Sequence, residues 1–335
     1  MGTEGADVLM KVKLNVKRFD PEKSDGSTRF QQYDIDMPEN GTVLDALIHV
    51  REYVDPTLAL RCSCRSAICG SCSMRVDHRA RLACKTKVTD IVSSEGQEIT
   101  IEPMGNMPVI KDLITDMEVH WSKMRQVVPY LRPTGPPPER EYIVSNEAML
   151  DVAGAVNCIQ CGACVSDCPV LEIDKSFIAP AALAKAYRFT GDPRDGTKKD
   201  RLEMLSNVEG GIWDCTRCNI CVEVCPKDVR PMDRIMQLRE QAVAAGVKTN
   251  TGVRHGNSFA SSVRRLGRLD EMRLFPESVG MFNLPRLLQD IPGGLRMLWT
   301  KRLMMWTHAI PFAHKPIPGI KHVQRLFDSA RSGKK

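Results

Sequence analysis

No stretch of this 335-residue chain approaches the roughly 20 consecutive apolar residues that a membrane-spanning helix needs. The longest uncharged apolar stretch near its end, residues 303–313, is broken by Pro311, so no bilayer crossing is expected. The opening residues MGTEGADVLMKVKLN show no charged leader followed by an apolar core and a small-residue cleavage site. Secretion is therefore not expected, and the cysteines should stay reduced. There is also no G-x-G-x-x-G after a strand, no P-loop and no evident acid–base pair. No catalytic residue is assigned, and the substrate site is expected on another component. Extreme composition is missing too: 42% hydrophobic and 26% charged residues describe an ordinary folded chain.

The length suggests two compact domains plus further material. Met10, Val12, Leu14 and Val16 alternate with polar residues, and Tyr33, Ile35 and Met37 repeat the pattern, which predicts a hairpin of half-buried strands. Thr42 with Asp45 three residues later predicts a capped helix start. Residues 62–84 read as an irregular ligand loop, and residues 99–103 as one more strand, completing a small α+β domain. Pro129, Pro133 and residues 136–138 read as a stiff connector. Beyond it the pattern is helical, as at 181–189 and 234–245. The expected division is 1–118, 119–140 (connector), 141–250 and 251–335.

Net charge is +6 and unevenly placed. Residues 251–335 hold fifteen Lys or Arg against five Asp or Glu, net +10, which leaves −4 on the first 250. A basic tail on a mildly acidic body fits an anionic membrane surface, and nothing else supports nucleic acid as the partner.

What the chain has in abundance is cysteine: thirteen, an odd number in three tight groups, which argues for metal ligation over disulfides. Cys64, Cys69 and Cys72 show C-x4-C-x2-C spacing with a distant fourth, Cys84, the plant-type [2Fe–2S] arrangement. A Rieske variant would need two histidines, and His78 alone does not supply them. Cys62 lies outside the spacing and reads as a buried or free thiol. The other groups, CIQCGACVSDCP and CTRCNICVEVCP, are C-x2-C-x2-C-x3-C-P runs. In two-cluster ferredoxins the fourth cysteine of each run crosses to the other cluster. This assigns Cys158, Cys161, Cys164 and Cys225 to a [4Fe–4S] cluster, and Cys168, Cys215, Cys218 and Cys221 to a third cluster. Structural zinc usually pairs one C-x2-C with a separate second pair, so the compact runs suit it poorly. Three clusters without a nucleotide site imply single-electron transfer beside a flavin-bearing partner.

These runs, with PVIKDLITDM (108–117), FIAPAALAKAYRF (177–189) and GDPRD (191–195), resemble the iron–sulfur subunit of succinate dehydrogenase and its fumarate reductase relatives over about residues 8 to 245. The resemblance implies a ferredoxin-like β-grasp domain followed by a helical bacterial-ferredoxin-type domain. It also implies electron flow from FAD on a flavoprotein subunit to quinone, membrane anchor subunits, and a peripheral place on the cytoplasmic face of the inner membrane.

Three features depart from the family pattern. Cys218 stands where the family usually has an aliphatic residue beside a [3Fe–4S] cluster, so the third cluster could be [4Fe–4S] or [3Fe–4S], and [4Fe–4S] is expected. The segment after Cys168 lacks the Trp of ubiquinone-type enzymes and resembles the fumarate reductase branch, which favours menaquinone. Pro169 and Thr216 are the quinone-site positions the resemblance carries over. The tail beyond residue 250 looks loosely like the ends of heterodisulfide-reductase-type subunits, which sets an electron wire for such a flavoenzyme, or for a fumarate reductase, as the alternative. Trp299 and Trp306 among basic residues predict an interfacial segment.

Overall fold

The computed structural model describes residues 9–22, 26–94, 96–247, 249–280, 283–289, 291–300 and 315–332. Trp306 and the 303–313 stretch lie outside the described residues. The chain forms two compact units, Met1–Gln241 and Ala242–Lys335.

The first unit begins with β1 (Leu9–Arg18) and β2 (Arg29–Pro38), antiparallel in the register Leu14 to Tyr33. Alternation does what the pattern predicts: Val12, Leu14, Val16, Tyr33, Ile35 and Met37 are buried on one face. Helix α1 (Val43–His49) packs Val43, Leu44 and Leu47 into the same core. Its start is closed by a reciprocal box, in which Thr42 Oγ1 accepts from Asp45 N (3.2 Å) and Asp45 Oδ2 accepts from Thr42 N (3.0 Å).

The expected irregular loop over 62–84 is corrected in its second half, where β3 (Ser73–Val76) and β4 (Arg79–Leu82) form a hairpin. Their turn is Asp77 and His78, both at positive φ (47° and 63°), the two-residue geometry that glycine or asparagine usually announces. β5 (Glu98–Glu102) then runs parallel to β1 and antiparallel to β3, giving a mixed sheet of order β2-β1-β5-β3-β4. A small hairpin, β6 (Val109–Lys111) with β7 (Ile114–Thr115), leads into α2 (Glu118–Gln126).

The Pro-rich stretch after α2 has no helix or strand before α3 (Asn146–Val156). It is nevertheless tied down. Buried Arg201 donates to the carbonyls of Val127 (3.0 Å), Val128 (2.7 Å) and Tyr130 (2.7 Å) and pairs with Asp195 (2.9 Å). The helical part runs α3, α4 (Ala163–Ser166), α5 (Pro169–Ile173), α6 (Pro180–Thr190), α7 (Lys198–Asn207), α8 (Ile220–Glu223) and α9 (Pro231–Ala244). Alanine-rich α6 is buried on nearly every side, because small side chains let neighbouring helices close around it.

The second unit holds α10 (Thr251–Leu266), α11 (Glu271–Val279), α12 (Leu284–Gln289), α13 (Ile291–Trp299) and α14 (Ile320–Ser332). Ser258 on α10 donates to Glu277 on α11 (2.6 Å), and Arg264 pairs with Asp328 on α14 (2.7 Å).

One buried cation closes the sheet lobe. Arg18 donates to Asp112 (2.9 Å), Asp55 (2.7 Å), Thr57 (2.9 Å) and Tyr33 (2.5 Å), so its charge is fully paired despite burial. Burial alone would raise the Asp55 carboxyl, but hydrogen bonds from Thr57, Tyr33 and Arg18 outweigh it and hold that carboxyl well below its usual range. Removing one partner strands the others, so Arg18→Met should cost about 3–5 kcal/mol at neutral pH. A depressed folded-state pKa contributes stability above the unfolded value and loses it as pH falls. The gap between wild type and Arg18→Met should therefore narrow below about pH 4, as read by thermal unfolding across pH.

Candidate metal centre

All thirteen cysteines are free. The first set sits on the loop between α1 and β3, with Cys84 just beyond β4. Arg65, Ala67 and Gly70 adopt left-handed backbone (φ 54°, 54° and 74°), which turns successive N–H groups inward. Cys64 Sγ accepts from the backbone N–H of Ser66 (3.4 Å), Ile68 (3.4 Å) and Cys69 (3.3 Å), while Cys84 Sγ accepts from Ala67 (3.3 Å). The Ser71 hydroxyl, 3.1 Å from Cys69 Sγ, is the main reason that thiol is lowered to about 6. Burial pushes Cys72 up to about 12. Cys62 is half-buried against the sheet core, apart from these contacts.

The two later runs are built alike. Gln160 and Gly162 (φ 58° and 80°) are matched by Arg217 and Asn219 (φ 60° and 69°), and each pair ends at a short helix, α4 or α8. The thiols group across the runs. Burial raises Cys158 and Cys161, with Cys225 among the thiols that raise them further. Cys164 is raised well above its ordinary value, by burial and then by Cys161, Cys158, Cys221 and Cys225. Cys168 instead feels Cys218 and Cys215 after burial. Burial pushes Cys221 up to about 12, reinforced by Cys215 and Cys218. The structure thus brings Cys225 to the first run and Cys168 to the second, with the two sets adjacent. Pro169 opens α5 directly after Cys168, and exposed Thr216 follows Cys215.

These surroundings fit iron–sulfur cores. Buried thiols that resist deprotonation need a bound cation to hold them as thiolates. The inward N–H groups supply the donors that a negatively charged cluster accepts, with Val229 N to Cys225 Sγ (3.3 Å) a further one. Among the described residues no three His, Cys, Asp or Glu side chains close on a point suited to one ion. Four thiolates spread around a larger core need no such point.

Several residues that spacing could not reveal hold the sets in place. Asn106, itself left-handed (φ 60°), donates its amide to the carbonyls of Val165 (3.0 Å), Ser166 (3.1 Å) and Cys168 (3.0 Å). Asp167 accepts from Ala80 N (2.7 Å) and pairs with Arg75 (3.4 Å), joining the turn before Cys168 to the sheet hairpin. Buried Arg239 on α9 donates to the carbonyls of Ile212 and Cys215 (both 2.8 Å). Gly70 lies against the second set: a Cβ there would stand 2.7 Å from Cys161 Cβ and 2.9 Å from Cys161 Cα. Backbone cannot yield as a flexible side chain can, and φ is already positive. Gly70→Ala should therefore lower the thermal midpoint and the bound iron, whereas Gly135→Ala, with open space around it, should leave both unchanged.

Comparison with known proteins agrees with this geometry. Residues 13–122 match a 2Fe-2S iron-sulfur cluster binding domain, and residues 154–229 match a 4Fe-4S dicluster domain. The chain is 35% identical over 243 residues to a fumarate reductase iron-sulfur subunit of Mycobacterium tuberculosis, covering 72% of this chain and 96% of that protein. It is 32% identical over 281 residues to the 8-methylmenaquinol:fumarate reductase iron-sulfur subunit of Wolinella succinogenes (82% and 86%). It is 34% identical over 233 residues to a succinate dehydrogenase iron-sulfur subunit of Paracoccus denitrificans (69% and 88%). Among solved structures, a chain of the Mycobacterium smegmatis Sdh1 complex in the apo form aligns with a TM-score of 0.66 at 27% identity, over 72% of this chain and 99% of that one. These matches do not favour the heterodisulfide-reductase alternative. With its thiols gathered in sets and its sequence aligned over nearly the whole of these relatives, the chain belongs to the succinate dehydrogenase and fumarate reductase iron–sulfur subunits, the electron-transfer subunits of those oxidoreductases.

Proposed function

We propose that this subunit carries electrons between a flavoprotein partner and a quinone pool through three clusters, held by Cys64, Cys69, Cys72 and Cys84 ([2Fe–2S]), by Cys158, Cys161, Cys164 and Cys225 ([4Fe–4S]), and by Cys168, Cys215, Cys218 and Cys221 (third cluster). The observation that carries the assignment is the exchange of Cys168 and Cys225 between runs. When bound, the clusters supply one-electron carriers, which suits a flavin that handles electrons in pairs. The protein's part is to hold the thiolates, donate hydrogen bonds to sulfur and bring the loops close, as at Gly70 and Cys161.

The two ends of the wire are exposed. Ile68, 63% exposed between Cys64 and Cys69, offers an apolar tip for the FAD-bearing subunit. Cys218 is exposed beside Thr216, so that edge of the third set is open where quinone, with Pro169 and Thr216 nearby, can approach. The absence of a Trp after Cys168 supports menaquinone as the quinone.

Cys218 completes a full run of four, which supports a [4Fe–4S] third cluster. Anaerobic protein should then hold about ten irons per chain, and the oxidised state should show no stoichiometric three-iron EPR signal. About nine irons with that signal at one spin per chain would return the site to [3Fe–4S].

No described helix is long and apolar enough to cross a membrane. The second unit reads as a surface contact instead. Leu284, Leu288, Ile291, Leu295 and Trp299 are all exposed at helical spacing on α12 and α13, within a strongly basic segment. Each Lys or Arg near anionic lipid contributes about 1 kcal/mol before screening. This supports a peripheral place on the cytoplasmic membrane face beside anchor subunits. Full-length protein should bind anionic vesicles, bind less as salt rises, and bind less again as Trp299→Ala. Equal binding to neutral vesicles would assign this face to protein packing.

A further inference from the structure

Helix α2 carries no cysteine, yet it sends a buried side chain toward the second thiol set. His120 is 1% exposed, and its Nε2 lies 3.2 Å from Gln160 Oε1. The Gln160 amide nitrogen in turn lies 3.3 Å from Cys158 Sγ. The chemistry of the three groups leaves one arrangement of protons. A cluster-bound thiolate has lone pairs and no proton, so only the NH₂ end of the amide can face Cys158. The amide oxygen then faces His120, which must carry its proton on Nε2 and donate. Burial disfavours the charged ring, consistent with a neutral imidazole protonated at Nε2.

We propose that Gln160 sets the reduction potential of the cluster held by Cys158, Cys161, Cys164 and Cys225 by donating to the Cys158 sulfur, and that His120 is the positioning residue that keeps the amide turned that way. The proposal rests on the ligand assignment above. Reduction adds negative charge that is shared onto the sulfurs, so a donor aimed at sulfur favours the reduced state and raises the potential. The effect is strengthened where water is partly excluded, and Cys161 and Cys164 beside it are half-buried, with desolvation the first cause of their raised pKa. Gln160 is the only side-chain amide that donates to a cysteine sulfur among the described residues. The first set relies instead on backbone N–H groups and one hydroxyl. A backbone donor survives every substitution but proline, whereas this one can be removed by changing the side chain alone. His120 lies 38 positions before Cys158 and has no hydrogen bond to a cysteine among the described residues, so its role works through the amide.

The test is an EPR-monitored redox titration of the intact complex with its flavoprotein, together with iron analysis. Gln160→Met keeps length and volume but lacks the donor. It should retain its iron and shift the midpoint of this cluster downward by about tenfold in its electron-sharing equilibrium, about 59 mV for one electron. His120→Phe should shift it in the same direction by less, because the freed amide still samples the productive orientation. The double variant should match Gln160→Met alone, since His120 has nothing left to orient. An unchanged midpoint in Gln160→Met with iron retained would overturn the tuning role, as would loss of the cluster, which would make the amide a requirement for assembly. A His120→Phe shift that adds fully to that of Gln160→Met would overturn the positioning role. The ligand assignment is tested separately by Cys158→Ser: an unaltered four-iron signal and iron count there would remove the basis of the proposal whatever the other variants show.

Discussion

The crossing of Cys168 from one run to the other depends on where the turn 165–168 is held. That turn is gripped from outside its own lobe. Asn106 gathers three of its carbonyls with one amide, and Asp167 reaches back to Ala80 and Arg75 on the sheet hairpin. Each buried carbonyl left without a donor would cost about 1–3 kcal/mol, so the grip is strong because its loss strands several groups together. Lys175 donates to the amide oxygen of Asn106 (3.1 Å), so both ends of that side chain are used and its orientation is determined. The same contacts that orient Cys168 therefore also bind the sheet lobe to the helical lobe, and neither lobe can shift without moving a thiol.

The electrostatics follow from that closeness. Thiols packed together and partly desolvated resist ionisation, first by desolvation and then by one another, as at Cys164. Such a site is unfavourable as a set of free thiolates and becomes favourable around a cationic core. Binding of iron and ordering of the loops are thus coupled. The left-handed residues that repeat in the loops, at 65, 67 and 70, then 160 and 162, then 217 and 219, recur because a chain wrapping a compact cluster whose sulfurs carry net negative charge must turn its N–H groups inward. Most of these positions are not glycine, so their backbone strain is offset by the contacts they make.

Legibility in the sequence divided along physical lines. The β1 and β2 alternation, the Thr42 box and the helices around 181–189 and 234–245 were readable because short-range pattern and burial agree there. The β3–β4 hairpin was not, although Met74, Val76, Ala80 and Leu82 do alternate, because its turn is Asp77-His78 with no glycine and it lies among cysteines that suggest a loop. The cysteine spacing carried the thiol sets, since each run is local and chelation demands fixed intervals. What spacing could not carry were the long-range partners: Asn106 to 165–168, Gly70 to Cys161, and Arg201 to the Pro-rich stretch. These residues are ordinary in their own neighbourhoods and acquire meaning only when the fold brings a distant segment to them.

That division also bears on how such a wire can be adjusted. Thiols that hold a cluster would be constrained by chelation, and the turn 165–168 is constrained by its shared hydrogen bonds. Side chains that approach sulfur from another element are under neither constraint. The α2 helix lies in the segment joining the two lobes, where it packs against α6 and buries His120, Lys123 and Met124. Lys123 shows how polar this buried face is, its ammonium donating to the carbonyls of Lys175 (2.7 Å) and Phe177 (2.6 Å). A joining helix of this kind can change its inward side chains while every ligand stays in place, which separates the holding of a cluster from the setting of its potential.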